Sequence, residues 1–551
     1  MSADLTYDVV VLGTGAAGFV AAIRAAHDGA SVGLFEKADS VGGTTAWSGG
    51  MVWAPCNRHM KDIGVEDSRE EALTYLRGLS HGLLVDEQIE SLIDNGPRAI
   101  SWLEDNTGVQ FQPVPGWPDY HSEHEGAKPA GGRALECPLF PFDTLGDWAP
   151  RVTRGYQISG LTMMSESSMA RNRPDGGTPQ AELDRRALRD ERGAGQALAG
   201  SLLRACLDAG VEPVTGARAV ELVVEAGAVL GVQLEHADGT TSVARARGGV
   251  VLATGGFEWD AGFKRAFLRG PVERAVSVPT NTGDGLRMAM RVGANLGNMR
   301  EAWWVPTIDV PVDGRGVVAW QVNGERSRPH CIMVNRDGMR FTDEAANYNA
   351  FGSAFHVVDI NRFEYINHPA WMVFDAHYLS AYGLAGHRTP QPWMATGATL
   401  EELAAAIEVP SDTLVATVAR WNTNVANGED PDHGRGSTTH DRFWGDAAFG
   451  MSVQTTLGPV DVGPYHAVQV YSGTLGTKGG PEIDPSGRVR DVDGATIPGL
   501  YAAGNVMASP MGMTYGGHGG TLGPAITFGW LAGADAAARA RATGQATVPP
   551  G

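Results

Sequence analysis

The feature that most constrains the fold is an apolar run near the N-terminus that ends in a glycine-rich turn, VVVLGTGAAG at residues 9–18. A helical pattern of small residues follows at once, and a second apolar run, residues 31–35, ends on Glu36. In this G-x-G-x-x-G spacing the first glycine permits the tight turn, the second lets the backbone approach a pyrophosphate, and the third lets helix and strand pack closely. The N–H groups at the helix start then face the phosphates, and the acidic side chain accepts hydrogen bonds from a ribose. The unit therefore predicts a bound dinucleotide.

A second glycine cluster, VGGTTAWSGG at residues 41–50, comes directly after the acidic residue. Such a stretch lets backbone lie flat against a large planar ligand. Because FAD needs a longer binding track than NAD, the two clusters together favour FAD. Further glycine turns follow apolar runs or open helices later in the chain, at residues 249–256, 282–285, 500–505 and 516–524.

Length and composition bound the class of protein. At 551 residues the chain is too long for one ordinary core. A net charge of −20 makes nucleic acid an unexpected partner. The four cysteines are far apart and form no CxxC motif, so we expect reduced thiols and no metal site. No apolar run is long enough for a membrane span, and the first apolar run is a strand rather than a signal peptide. We expect a cytoplasmic protein, with loose association with a membrane surface left open.

The complete set of motifs resembles the fumarate reductase/succinate dehydrogenase flavoprotein superfamily over nearly the whole chain. Within it, YGGHGGTLGPA at residues 515–525 is similar to the 3-ketosteroid dehydrogenases, chiefly the Δ1-dehydrogenase. GTKGG at 476–480 and the N-x-x-G-x-R-F pattern at 335–341 support that branch.

The resemblance implies an α/β fold in which a catalytic domain interrupts a cofactor domain. A Rossmann-like, glutathione-reductase-like FAD-binding domain is made from both ends of the chain, residues 1–285 and 451–551. The inserted α+β catalytic domain is expected at residues 286–450, where aromatic residues and turns become frequent. A charged segment, residues 171–192, is expected to be an exposed insertion or a solvated helix face.

Non-covalent FAD is the cofactor that the resemblance implies, and no metal is expected. The motif residues that we assign to FAD are Gly13, Gly15, Ala16, Ala17, Gly18, Glu36, Lys37, Gly42, Gly43, Thr44, Thr45, Ser48, Gly49, Gly50, Ala253, Thr254, Gly255, Asp284, Gly504, Asn505, Gly520, Thr521 and Leu522.

The resemblance also implies a mechanism, the introduction of a C=C bond α,β to a ketone, most simply the Δ1-dehydrogenation of a 3-ketosteroid. Tyr515 and the backbone N–H of Gly519 bind the ketone oxygen. Tyr348, assisted by Tyr120, removes the α proton, and flavin N5 takes hydride from the β carbon. The implied partners are a small apolar ketone and an external electron acceptor such as a quinone, a dye or O2.

Two departures from the family pattern leave the substrate open. His518 stands where a small residue or proline is expected, and Ser472-Gly473-Thr474 stands where Pro-Gly-Asp is usual. Smaller cyclic ketones such as cyclohexanone and Δ4-(5α) regiochemistry therefore remain open, and Tyr471 is a rival pocket residue.

Two other functions remain as alternatives. A fumarate- or urocanate-type ene reductase needs arginines that clamp a carboxylate, for which Arg326 and Arg328 are candidates. A flavin electron-transfer protein without substrate chemistry would not need tyrosines in the motifs.

Overall fold

The computed structural model describes residues 5–158, 160–166 and 177–546. Its first sheet joins the two ends of the chain: Leu5–Leu12 pairs in parallel with Val32–Phe35 on one side and with Thr241–Leu252 on the other, and Thr241–Leu252 pairs in parallel with Thr496–Ala502. The seven strands of this sheet are Leu5–Leu12, Val32–Phe35, Ala217–Glu225, Ala228–His236, Thr241–Leu252, Arg488–Arg490 and Thr496–Ala502. The central strands are buried apolar runs, as a sheet covered on both faces requires.

Two helices pack closely on this sheet because small residues meet between them. Helix Ala16–His27 begins at the glycine turn, and helix Leu522–Ala546 lies against it. A Cβ atom added at Gly529 would lie 2.5 Å from the carbonyl oxygen of Ala17. This contact brings the start of the C-terminal helix beside the N-terminal turn.

A second, mainly antiparallel sheet carries the middle of the chain. Its seven strands are Arg274–Ala275, Ala302–Val312, Gly316–Gln321, Cys331–Asn335, Ala370–Phe374, Ala395–Gly397 and Tyr465–Thr477. Tyr465–Thr477 is the central strand, because it pairs with Ala302–Val312 and with Ala370–Phe374. The sequence placed residues 465–477 in the FAD-binding domain. The domain bounds stay a prediction, and this pairing supports moving the second boundary from 450 to a point beyond Thr477.

Smaller elements complete the described structure. The short strands, in paired groups, are Val52–Trp53, Gln112–Pro115 and Gly131–Glu136; Phe140–Pro141 and Glu191–Arg192; Leu296–Gly297 and Gly480–Pro481; Val358–Asp359 and Glu364–Tyr365. The other α-helices are Gly43–Trp47, Arg69–Leu79, Asp86–Asn106, Gln180–Leu188, Ala194–Asp208, Ala261–Phe267, Asp284–Arg291, Tyr348–Ser353, Ala376–Ala381, Leu400–Ala406, Ser411–Asn427 and Thr439–Trp444. Within the described ranges, 3-10 helices occur at Arg58–Ile63, Phe142–Arg151, Ala354–His356, Ala447–Phe449, Val453–Thr455 and Gly504–Val506.

Part of the charged segment at 171–192 is a mostly exposed helix, Gln180–Leu188, which matches the expected solvated helix face. Residues 171–176 lie outside the described residues. No helix within the described ranges is both long enough and apolar enough to cross a bilayer.

Candidate functional site

A single elongated cavity of about 450 Å³ brings most of the sequence-predicted site residues together. The predicted cofactor residues that line it are Gly13, Gly15, Ala16, Ala17, Glu36, Lys37, Gly43, Thr44, Thr45, Ser48, Gly49, Gly50, Ala253, Thr254, Gly255, Asp284, Gly504, Asn505, Thr521 and Leu522. Tyr348, Tyr515 and Gly519 line it as well. Gly18, Gly42, Gly520 and Tyr120 are not among its lining residues.

The N-terminal glycine turn has the shape that a bound pyrophosphate requires. Gly13 has φ +104°, and a Cβ atom there would lie 2.3 Å from the carbonyl oxygen of Ala253. A Cβ atom at Gly18 would lie 1.9 Å from the carbonyl oxygen of Gly13, so Gly18 allows the helix to pack closely against the turn. The following helix has no side-chain cap and no acidic residue in its first turn, which leaves its positive end available to an anion.

The predicted ribose acid is held in place by a residue that the motif search did not single out. Glu36 Oε2 accepts hydrogen bonds from the backbone N–H of Thr14 at 3.0 Å and from its hydroxyl at 2.8 Å. Lys37 and Asp284 bond each other, Nζ to Oδ2 at 2.9 Å. Burial alone would raise the pKa of Asp284, but its bonds with Arg218 and Lys37 outweigh burial and lower it. Residues from four chain segments thus fit the polar end of FAD.

At the other end of the cavity three tyrosines from distant segments form one cluster. The ring centroids lie 5.0 Å apart for Tyr120 and Tyr515, 5.3 Å for Tyr120 and Tyr348, and 5.6 Å for Tyr348 and Tyr515. All three side chains are buried. The Tyr515 hydroxyl shares a 3.0 Å hydrogen bond with Thr521 Oγ1. Tyr120 lies behind the other two rather than on the cavity wall.

The second sheet positions Tyr348. Tyr348 is the first residue of helix Tyr348–Ser353, whose N-cap, Asn347, accepts a 2.9 Å hydrogen bond from the Ala350 N–H. Just before it, Arg340 forms buried ion pairs with Glu344 at 2.7 Å and with Asp430 at 2.9 Å. The segment that leads into the helix of Tyr348 is therefore anchored by a buried charged network.

The last glycine cluster positions the other two tyrosines. The carbonyl oxygen of Gly516 accepts hydrogen bonds from the Tyr120 N–H at 3.0 Å and from the Tyr75 hydroxyl at 2.6 Å. Lys478 from the GTKGG motif donates to the carbonyl of Thr514 at 2.7 Å, and burial lowers the pKa of Lys478 to about 7. Lys478 was not assigned a role from the sequence, yet its contact holds the residue before Tyr515.

Gly519 combines left-handed backbone with a close approach. Its φ is +93°, and a Cβ atom there would lie 2.6 Å from the carbonyl carbon of Met51. Its carbonyl oxygen accepts a 3.1 Å bond from the Trp53 N–H, whereas no bond from its own N–H is found among the described residues. The free N–H of Gly519 and the phenol of Tyr515 are two hydrogen-bond donors in one cavity, a combination suited to binding one oxygen atom.

Burial dominates the protonation of the three phenols. It raises the pKa of Tyr348 well above the ordinary value, the charge of Tyr515 raises it further, and Tyr120 opposes the rise. Burial likewise raises the pKa of Tyr120 and of Tyr515. All three are therefore neutral in the ligand-free protein near pH 7, and a tyrosine that accepts a proton must pass its own proton on.

The structure also places the residues that the sequence left open. His518 lines the cavity, and its ring stacks on Trp444 at 5.2 Å between centroids. Tyr471 lies in the second sheet under Arg274, outside the cavity lining. Arg326 and Arg328 are buried and are not among the lining residues, so neither is placed to clamp a substrate carboxylate.

Several lining residues were missed because no motif marks them. Trp444 lies in a segment without a glycine pattern, Met51 directly follows the second glycine cluster, and Asn281, which donates to Thr44 Oγ1 at 3.2 Å, directly precedes the TGDG turn. In the sequence, only its position directly before that turn could have suggested Asn281. Across the described ranges, no group of three or more potential metal-binding side chains was found.

Comparisons with known proteins bear on this geometry. A family model described as an FAD binding domain matches residues 8–522. The chain is 41% identical to 4-oxocyclohexanecarboxylate 2-dehydrogenase of Sinomonas cyclohexanicum, over 97% of this chain and 93% of that protein. It is 38% identical to 3-oxosteroid 1-dehydrogenase of Mycobacterium tuberculosis, over 96% and 97%. The crystal structure of 3-ketosteroid Δ1-dehydrogenase from Sterolibacterium denitrificans, in complex with 1,4-androstadiene-3,17-dione, matches with a TM-score of 0.90 at 34% identity, over 97% and 99%.

The chain belongs to the FAD binding domain family of flavoproteins, and FAD is its cofactor. Within that class it is an FAD-dependent dehydrogenase of the 3-ketosteroid Δ1-dehydrogenase and oxoacid desaturase type. The predicted fold class, cofactor and family are confirmed, and the roles of individual residues stay predictions.

Proposed function

We propose that the protein desaturates a cyclic ketone at the carbon atoms α and β to its carbonyl group. The observation that carries the proposal is the meeting of Tyr515, Tyr348 and the free N–H of Gly519 at one end of the FAD cavity. Enolisation of a ketone requires hydrogen-bond donors for its oxygen atom and a group that accepts the α proton. The phenol of Tyr515 and the N–H of Gly519 are two such donors, and the phenol of Tyr348 lies beside them.

In this proposal the ketone oxygen accepts hydrogen bonds from the Tyr515 hydroxyl and the Gly519 N–H. Both donors are fixed before substrate arrives, so they stabilise the negative charge that develops on the oxygen as the α proton leaves. Tyr348 receives the α proton, and Tyr120, in ring contact with it, stabilises the phenolate form. When bound, FAD accepts a hydride from the β carbon.

A 3-ketosteroid is the first candidate substrate. The support is similarity over nearly the whole chain to 3-oxosteroid 1-dehydrogenase and to the steroid-bound structure. We propose Δ1-dehydrogenation of such a steroid as the reaction.

A smaller ring ketone is the second candidate, and two observations favour it. The chain is 41% identical to a dehydrogenase of 4-oxocyclohexanecarboxylate. In addition, Trp444 stacks on His518 at the cavity wall, where a bulky aromatic pair narrows the space beside Tyr348.

Anaerobic mixing of the purified, FAD-loaded protein with a substrate panel tests the proposal. The panel contains a 3-ketosteroid, cyclohexanone and 4-oxocyclohexanecarboxylate, and bleaching of the flavin absorbance is followed by stopped flow. We expect at least one ketone to bleach the flavin and the fastest to identify the substrate class. An absence of bleaching with every ketone, in protein that retains FAD, would contradict the proposed function.

A further inference from the structure

Next to the three tyrosines lies a group of buried polar atoms that lack hydrogen-bond partners among the described residues. They are the Tyr120 hydroxyl, the Trp117 indole N–H, both ring nitrogens of His440 and Nδ1 of His518. Each of these four side chains is at most 9% exposed. An unsatisfied buried polar group destabilises the fold, and native structures hold few of them. Five such atoms in one place indicate that these polar groups serve a function.

These side chains are in direct contact through Tyr120. The Tyr120 ring centroid lies 5.3 Å from that of Tyr348, 5.3 Å from that of His440 and 5.0 Å from that of His518. Tyr120 therefore connects Tyr348 at the cavity with His440, which is not a lining residue, and it also contacts His518, which lines the cavity itself.

A path toward the surface continues from His440. Its Nδ1 lies 3.9 Å from Oδ1 of Asp441, while Oδ2 of Asp441 accepts the backbone N–H groups of Gly436 and Thr438. Burial and repulsion by Asp441 raise the pKa of Asp343 well above its usual value. Burial would raise the pKa of Asp441 too, but the His440 imidazole lowers it. Asp343, which is half-buried, thus lies close enough to Asp441 to be repelled by its charge, on the side of Asp441 toward the surface.

Of the histidines in this region, His440 is the one that lies between Tyr120, at 5.3 Å between ring centroids, and Asp441, at 3.9 Å from its Nδ1. Burial, followed by the charges of His124 and His440, lowers the pKa of His121 to about 4. Burial and the charge of His440 lower the pKa of His518 well below its usual value. Both neighbours therefore stay neutral, and the charged groups on His440's other side are Asp441 and, beyond it, Arg326.

We propose that His440, reached through Tyr120, carries the substrate's α proton away from Tyr348 toward Asp441 and the solvent. This inference rests on the proposed ketone desaturation. The α C–H bond breaks, its proton adds to the Tyr348 oxygen, and its electron pair forms the C=C bond while a hydride leaves the β carbon for the acceptor that bound FAD would supply. Before this step Tyr348 passes its own proton to Tyr120, and Tyr120 passes its own to one nitrogen of His440, so Tyr348 is a phenolate when the α proton arrives. The other nitrogen, Nδ1, releases a proton toward Asp441, so each turnover delivers one proton to Asp441 and leaves His440 in its other tautomer until both exchange with the solvent.

Washout of the α protons in D2O tests the relay separately from hydride transfer. With FAD reduced by dithionite, the holoenzyme cannot oxidise the ketone, yet Tyr348 can still exchange the α protons of saturating cyclohexanone or a 3-ketosteroid, which proton NMR follows. Washout requires that the abstracted proton leave the buried tyrosines. We expect His440→Phe and His440→Gln to slow washout at least tenfold, with FAD content and ketone KM unchanged.

The matched control is His124→Phe, which replaces an exposed histidine of the loop that carries Tyr120 and should wash out at the wild-type rate. His440→Gln keeps size and polarity, so it guards against a folding defect in the phenylalanine variant. Wild-type washout in His440→Gln, or a slow rate accompanied by a raised KM or lost FAD, would overturn the relay. If the wild-type enzyme itself neither exchanges α protons nor bleaches with any ketone, the proposed function fails instead.

Discussion

At the scale of single residues, the oxygen-binding assignment depends on the Tyr515 hydroxyl. Its position beside the free N–H of Gly519 is the arrangement that stabilises an enolate. We predict that Tyr515→Phe lowers the rate of flavin bleaching by about 100- to 1000-fold, the usual cost of losing one such donor. FAD should stay bound, which the absorbance spectrum of the variant checks. A variant that bleaches at the wild-type rate would exclude Tyr515 from carbonyl binding.

The protonation of Tyr348 makes a second residue-scale prediction, a dependence on pH. Because burial raises its pKa, only a small fraction is phenolate near pH 7, and that fraction grows as pH rises. The bleaching rate should therefore increase with pH on the neutral and alkaline side. Tyr120 lowers the pKa of Tyr348, so Tyr120→Phe should move the rising limb to higher pH. Stopped-flow bleaching rates between pH 6 and 10 measure the rising limb for both proteins. A limb that lies at lower pH in Tyr120→Phe than in the wild type would contradict this role of Tyr120.

Where a motif ties a residue to backbone geometry, the structure gives a reason for the residue type, and the role of the residue stays a prediction. Gly13, Gly18 and Gly519 each occupy a place where a Cβ atom would meet backbone. Tyr120 was harder to place, because its short Asp-Tyr context says nothing about what surrounds it. In the structure it lies behind the cavity wall, in contact with His440, a residue more than 300 positions away in the chain that no local pattern connects to it.

At the scale of elements, the contact between helices Ala16–His27 and Leu522–Ala546 decides whether the cavity can form. A Cβ atom at Gly533 would lie 2.4 Å from the Ala21 carbonyl oxygen. We predict that Gly533→Leu forces the helices apart, destabilises the protein by about 1–3 kcal/mol and weakens FAD binding. Ala538→Leu, at an exposed position of the same helix, is the control. Denaturant unfolding and FAD titration measure both effects, and equal behaviour of the two variants would refute close packing as the cause.

The element whose pairing the sequence did not indicate is strand Tyr465–Thr477. It follows the predicted second boundary at 450, so proximity along the chain assigned it to the FAD-binding domain. Its hydrogen bonds go instead to Ala302–Val312 and Ala370–Phe374. Pairing between strands about 100 to 160 residues apart leaves no periodic signal in either strand, whereas the parallel strands of the first sheet were marked by the glycine turns that end them.

At the scale of the whole molecule, both ends of the chain contribute to one cavity. Gly13 and Glu36 come from the N-terminal part, and Thr521 and Leu522 come from the C-terminal part. A ligand that bridges them binds the folded protein and not the unfolded chain, so it must stabilise the fold. At a free FAD concentration 100 times Kd the stabilisation should be about 2.7 kcal/mol.

We therefore predict that the unfolding temperature of the flavin-free protein rises steadily with added FAD. NAD is the control, because FAD needs a longer binding track than NAD. The second glycine cluster and the cavity beyond it form that longer track. Added NAD at the same concentration should leave the unfolding temperature nearly unchanged. A rise with NAD equal to the rise with FAD would mean that only the pyrophosphate turn at Gly13 recognises the ligand. In that case the part of the cavity between the turn and the tyrosines would contribute nothing to the choice between FAD and NAD. That result would contradict the assignment of its lining residues to FAD.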